Sequence, residues 1–217
     1  VLTFLTGEVK VDDPFVIYLG IFIFYFVAAF SATFFNAGIV HIAKTRFAGG
    51  DATFMDGIRA AAKHLKQIVA WSLITATVGL ILNILQRQSR EKGGIVGFIG
   101  SVITSLIGLA WAIVSVFVVP AIVINGVGPI EALKSSVKAV KKTWGESLIK
   151  FYGLGMVRGI FTFLGLLLFL GPGIYLLFQS AIKIGIVLIG IFILYLAIVS
   201  VIFTSANTIF NTALFLY

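Results

Sequence analysis

The sequence predicts an all-α fold, a polytopic transmembrane helical bundle that carries interfacial amphipathic helices and is built on an internal repeat. Three observations predict it. Of 217 residues, 60% are hydrophobic and 11% charged, against roughly 25% charged in a soluble domain, so a soluble core is excluded. The apolar residues gather in runs of about twenty or more, without the alternation of a membrane β-strand. Two connections between runs, TFMDGIRAAAKHLKQI and GPIEALKSSVKAVKKTW, have apolar residues every three or four positions and lysines or arginines on the other side.

In chain order, Val1 to Asp13 carries a short apolar tail and then three carboxylates against one lysine, which reads as a loop on the exported side. A first span is expected from Phe15 to Ile42, with Ser31, Thr33, Asn36 and His41 toward its far end, then Lys44, Arg46 and the turn Gly49-Gly50-Asp51. In the first amphipathic connection Thr53 and Asp56 have the spacing of a capping box. Phe54, Ile58, Ala61, Leu65 and Ile68 form its apolar stripe and Arg59, Lys63 and Lys66 its basic side. A second span, from Val69 to Leu85, is expected to end in the loop RQSREKGG. A third runs from Ile95 to Val119 and stops at Pro120. Its small residues Gly97, Ser101, Ser105, Gly108, Ala112 and Ser115 recur at the spacing of a helix-packing seam.

The second amphipathic connection places Ile130, Leu133, Val137, Val140 and Trp144 on one side and Lys134, Lys138, Lys141 and Lys142 on the other. A fourth span, Leu148 to Leu170, follows, with Gly155 and Gly159 in GxxxG spacing and one arginine, Arg158. Gly171-Pro172-Gly173 is expected to break it. An interfacial or re-entrant piece to about Lys183 and a last span from Ile184 complete the chain.

Laying Asp56 on Glu131 pairs Ile58 with Leu133, Arg59 with Lys134, Lys63 with Lys138, Leu65 with Val140 and Lys66 with Lys141 at one offset. Duplication of a unit, amphipathic helix then span, is the simplest account. Thr33, Phe35 and Asn36 are echoed by Thr208, Phe210 and Asn211, so a single membrane domain, 1–217, is read as units 15–86, 95–170 and an incomplete 184–217. A start at valine and a stop inside an apolar run predict further residues at both ends, those after Tyr217 being basic and amphipathic. Ten lysines and arginines lie beside the amphipathic connections and five opposite, which places those helices on the cytoplasmic side of the cell membrane. RQSREK is the discordant loop, and a hairpin that does not fully cross would explain it better.

GPIEALKSSVKAVKKTWGE, preceded by FVVPAIVINGVGP, together with FFNAGIVHIAKTRFAGGDATFMDGIRAA, resembles an uncharacterised family of six-span integral membrane proteins of bacteria and archaea. The likeness covers essentially the whole chain. It extends more distantly to the membrane domains of glycerophosphodiester phosphodiesterases. The resemblance implies one more N-terminal span, and neither an activity nor catalytic residues to carry over.

Arg158 is expected near mid-bilayer, where an arginine costs at least about 2.5 kcal/mol. No carboxylate falls inside a span, so its compensation comes from Asn36, Asn207, Asn211, Gln179, carbonyls, a partner's acid, a lipid phosphate or a bound anion. Two readings stay open, an arginine that snorkels or is structurally paired, and an anion or lipid site. The same asparagines serve helix-helix hydrogen bonding or line a polar cavity. The basic rows Arg59, Lys63, Lys66 and Lys134, Lys138, Lys141, Lys142 are headgroup contacts, with generic attraction and specific lipid binding both open. His41 and His64 lack the further ligands a metal site needs, and no glycine stretch has the pattern of a phosphate loop.

No catalytic residue, metal or cofactor is therefore expected. The expected role is that of a non-enzymatic integral membrane protein, a structural or interaction subunit associating with itself, with other membrane subunits or with membrane lipids. The alternative is a transporter or channel for a small anionic or lipid substrate with Arg158 at the site. Nucleic acid is not an expected partner, because the basic residues lie beside apolar runs and not on an aromatic-studded soluble surface.

Overall fold

The computed structural model describes residues 14–179 and 181–216, with the backbone alone for 144–152. The N-terminal loop read at Val1 to Asp13 lies outside the described residues. The fold is an all-α helical bundle, and five of its helical segments are long and apolar enough to cross a membrane. The chain divides into two compact units, one ending at Ala139 and one beginning at Val140.

The first unit opens with α1, Pro14–Phe47, 34 residues. Lys44 and Arg46 occupy its last turn, the end at which the helix dipole favours cations. α2, Phe54–Lys63, starts at the expected capping box. The Asp56 N–H donates to Thr53 Oγ1 (3.3 Å), and the Thr53 N–H donates to Asp56 Oδ2 (2.9 Å). The amphipathic stretch is nevertheless two helices. The backbone bends at His64 (φ −102°, ψ 18°), and α3, Leu65–Lys92, takes Lys66 and Ile68 into its first turn.

α3 then runs 28 residues without interruption, which corrects the loop expected at RQSREK. Gln, Arg, Glu and Lys are all good helix formers and the last carbonyls welcome cations, so the helix persists to Lys92. The chain reverses at Gly93 and Gly94, both left-handed (φ 58° and 54°), into α4, Gly94–Ser115. After a kink at Val116 and Phe117 comes α5, Val118–Asn125. Pro120 is not the stop expected of it. It sits in the first turn of α5, where its missing N–H has no helical partner to lose. Left-handed Gly126 (φ 68°) ends α5, and α6, Pro129–Lys142, begins three residues later.

Within this unit α1 lies along α3. Ala37 and Val40 of α1, Ala61 of α2, Ile68 of α3 and Val123 of α5 form one buried cluster, flanked by Phe30 and Phe34. The Trp71 and Trp111 rings stack at 5.5 Å between α3 and α4. Farther along, the seam of these two helices closes where Gly97 and Gly100 meet Ser89. A Cβ on Gly97 would stand 2.5 Å from the Ser89 carbonyl oxygen. The row facing α3 is thus Gly97, Gly100, Thr104, Gly108 and Trp111, slightly rotated from the expected one. Ser105 and Ala112 are exposed, contrary to expectation, and Ser101 is half-buried. Ser105 Oγ donates to the Ser101 carbonyl (2.8 Å) and Thr104 Oγ1 to that of Gly100 (2.9 Å), so neither hydroxyl needs the interface and the tryptophan stack sets the phase.

In the second unit α7, Trp144–Gly165, continues through a π-helical turn, Leu166–Leu170, into α8, Gly171–Phe178. Gly171-Pro172-Gly173 therefore does not break the fourth span. Pro172 offers no N–H and its ring would strike the carbonyl of Leu168, and the wider π turn absorbs both defects. α9, Ile182–Leu216, follows with 35 residues, so among the described residues no separate re-entrant piece stands between the two spans and Lys183 lies in the first turn of the last one. The α8–α9 hairpin closes on paired glycines, since a Cβ on Gly185 would stand 2.8 Å from the Gly173 carbonyl oxygen. Further along, the Tyr195 ring lies on Gly165 and its hydroxyl donates to the Phe161 carbonyl (2.7 Å).

Candidate functional site

The two basic amphipathic helices are the chemically distinctive part of the molecule, and each presents three faces. On α2 the buried face is Gly57, Ala60 and Ala61, pressed on α1 at Gly38. A Cβ on Gly57 would lie 3.0 Å from the Gly38 carbonyl oxygen and 2.8 Å from Ile42 Cδ1, so any side chain there would displace Ile42 and crowd the α1 backbone. On α2 itself the large side chains of the expected apolar stripe do not dock, whereas Ile68, carried by α3, is fully buried. Phe54 and Met55 are 69% and 51% exposed, Ile58 is half-buried, and Arg59 and Lys63 occupy the remaining side. Small residues hold the helix to the protein, and the bulky apolar ones face outward beside the cations.

α6 repeats the pattern. Ala132 and Ser136 are buried, Ile130 is 66% exposed, Leu133 and Val137 are half-buried, and Lys134, Lys138, Lys141 and Lys142 are exposed. Ser136 Oγ accepts the Phe117 N–H (3.0 Å) at the α4–α5 kink. A shallow open groove runs along the first turns of α6 beside Ile130, Lys134 and Lys138. Since Val123 of α5 shares the buried cluster of Ala61, and α6 starts directly after α5, both helices belong to one end of the first unit.

Local electrostatics hold this end together weakly. Arg46 pairs with Asp51 (3.2 Å) and Arg59 with Asp56 (3.6 Å), both near solvent, where such pairs contribute about 0–1 kcal/mol. The Thr53 hydroxyl and then its N–H hold the Asp56 carboxyl below its usual range. Burial at the α2–α3 bend, reinforced by His41, Lys44 and Lys63, pushes the His64 pKa down.

Arg158 lies in the body of α7, Trp144–Gly165, and the π turn carries this helix past Pro172 to Phe178, beyond the end expected at Leu170. The side chain is exposed, and among the described residues no carboxylate is within ion-pair reach. Asn207 and Asn211 lie on neighbouring α9, the first exposed and the second 7% exposed. The Phe161–Phe203 ring contact (6.0 Å) sets an antiparallel register that brings Asn207 close to the level of Arg158. Asn36 belongs to the other unit. Gln179 sits at the far end of α8, its amide donating to the Tyr175 hydroxyl (3.1 Å), so it is no partner of Arg158. Gly155 and Gly159 are exposed with open space around them, so the GxxxG pair packs on no described residue.

Sequence reasoning missed the Gly38–Gly57 crossing, the Ser136 bond and a Tyr25–Asn83 contact. Asn83 Nδ2 donates to the Tyr25 hydroxyl (3.3 Å) across α1 and α3, while Asn83 Oδ1 and Thr75 Oγ1 are buried without a partner among the described residues. The signal for the first was available, since glycines inside otherwise strong helices mark close backbone approach. Among the described residues no cluster of three metal-ligating side chains occurs.

Five apolar spanning helices, with basic amphipathic helices between them, define a multi-pass α-helical membrane protein. The chain belongs to a family of unknown function (DUF6159), whose model matches residues 15–217. No curated protein and no solved structure matches it, and the distant likeness to glycerophosphodiester phosphodiesterase membrane domains finds no support.

Proposed function

We propose that this chain is a non-enzymatic integral membrane protein whose α2 and α6 helices form cytoplasmic collars that gather anionic lipid around the bundle, as a structural subunit associating with itself or with other membrane proteins. The observation that carries the reading is the matched three-faced design of the two helices. Phe54 and Pro129 open them at the offset that lays Asp56 on Glu131, and at that offset buried Gly57 and Ala61 fall on buried Ala132 and Ser136 while exposed Arg59 and Lys63 fall on exposed Lys134 and Lys138. A duplicated unit supports this correspondence better than two unrelated surface helices. A helix with a glued side, a greasy side and a basic side suits a bilayer interface, where the greasy side meets acyl chains and the basic side meets phosphates.

The test is native mass spectrometry of protein released from vesicles of mixed phosphatidylglycerol and phosphatidylcholine. The expected spectrum shows phosphatidylglycerol retained preferentially, and Gln at Arg59, Lys63, Lys134 and Lys138 abolishes the preference. A lone monomer that keeps neither lipid, nor any protein subunit, would remove the proposal.

A further inference from the structure

The tip of the α3–α4 hairpin is basic, and it lies at the end of the first unit opposite the collars. α3 begins beside α2, and its 28 residues extend about 42 Å at 1.5 Å per residue. A bilayer is about 30 Å thick in its hydrocarbon core and about 40–45 Å with its headgroup layers. A helix whose first turn lies at one headgroup layer therefore leaves the core near Gln88 and carries its last two turns to the edge of the core and into the other layer. Those turns hold Arg87, Arg90 and Lys92 against the single carboxylate Glu91, all exposed. Ser89 alone turns inward, against Gly97 and Gly100, and the Gly93–Gly94 reversal leaves no loop to disperse the charges.

From these features we propose that the hairpin tip is a second lipid-binding surface, in which Arg87, Arg90 and Lys92 hold the phosphodiesters of anionic lipids in the leaflet opposite the collars. Apolar flanks select lipid over a soluble acidic partner. Ile95, Val96 and Phe98, within two turns of the cations, are 78%, 64% and 70% exposed. Side chains of that kind are at home among acyl chains, and they fix the neighbouring cations at phosphate depth. The tip surface continues directly from the lipid-facing surface of the spans and is complementary in charge to an anionic headgroup layer. The protein then grips both leaflets, and the basic tip that disagrees with a one-sided charge rule becomes part of the design.

This inference rests on the reading of the chain as an integral membrane protein that gathers anionic lipid, so tip and collar are probed separately. The sequence has no cysteine, which allows a fluorophore to be placed singly at Gln88→Cys or Ala62→Cys in full-length protein in nanodiscs. Quenching is compared for headgroup spin-labelled phosphatidylglycerol and phosphatidylcholine. Phosphatidylglycerol is expected to quench both positions more strongly. Gln at Arg87, Arg90 and Lys92 should reduce the preference at position 88 about tenfold, leaving it intact at 62. Lys at Arg87 and Arg90 keeps the charge and should keep the preference, which separates charge loss from misfolding. Equal quenching by the two lipids at 88, a preference there that survives the Gln variant, or loss of preference in the Lys variant overturns the inference. Absence of quenching by either lipid at 88 overturns it too, in favour of a tip standing in water. Loss of preference at 62 in the otherwise unchanged chain removes the collar reading instead.

Discussion

Gly57 has no side chain, and on that absence the seating of α2 depends. Any Cβ there meets the Gly38 carbonyl and the Ile42 side chain, and neither backbone can yield without moving a helix. Gly57→Leu is therefore expected to lower stability by about 1–3 kcal/mol, measured as a drop in thermal midpoint in detergent micelles, with α2 detached in spin-label distances to α1. His64 at the adjoining bend sets a pH dependence. Burial, then the neighbouring His41, Lys44 and Lys63, hold its folded-state pKa below the ordinary value of 6.5, so the detached state binds the proton more readily. Docking is complete above that value and weakens as pH falls from 6.5 through the lowered pKa. Midpoints recorded between neutral and mildly acidic pH should fall accordingly, and a His64→Gln chain should show a flatter curve.

At the scale of the element, the kink between α4 and α5 depends on Ser136. Its buried hydroxyl accepts the Phe117 N–H, so Ser136→Ala is expected to cost about 1–3 kcal/mol, read from denaturation midpoints, whereas Ser135→Ala should cost little. The elements also divide according to what sequence can say about them. Spans and capping box were readable because apolar runs and the Thr53–Asp56 spacing are local signals. The bend at His64 and the survival of the helix past Pro172 were not. Each depends on packing around the residue, or on a π turn whose extra width no periodicity announces. The seam on α4 was found at Gly97 and Gly108 but misphased at Ser105, because self-satisfied hydroxyls carry no directional information. The basic residues of α2 and α6 were identified from their spacing, while the fourth span runs past the end expected at Leu170.

For the whole molecule, the first unit carries cations at both ends, the collars at one and Arg87, Arg90 and Lys92 at the other. Single cysteines at Lys63 and Lys134 are expected to react with a membrane-impermeant maleimide from the same side of sealed vesicles, and one at Arg90 from the other side. Labelling of Lys63→Cys and Lys134→Cys from opposite sides would contradict the shared position of Ala61 and Val123 in one cluster.

The two-glycine reversal bears on how such a chain reaches its place in the bilayer. With no slack between α3 and α4, neither helix can be threaded ahead of the other, and the pair must insert as a folded prong with its three cations leading. With the collars on the cytoplasmic side, as proposed, each such charge moves outward against a potential that is negative inside, at a cost of about 2.3 kcal/mol per 100 mV. The insertion machinery, or the hydrophobic flanks that enter with the prong, must overcome that cost during biosynthesis, so the step is expected to grow easier when the potential is collapsed.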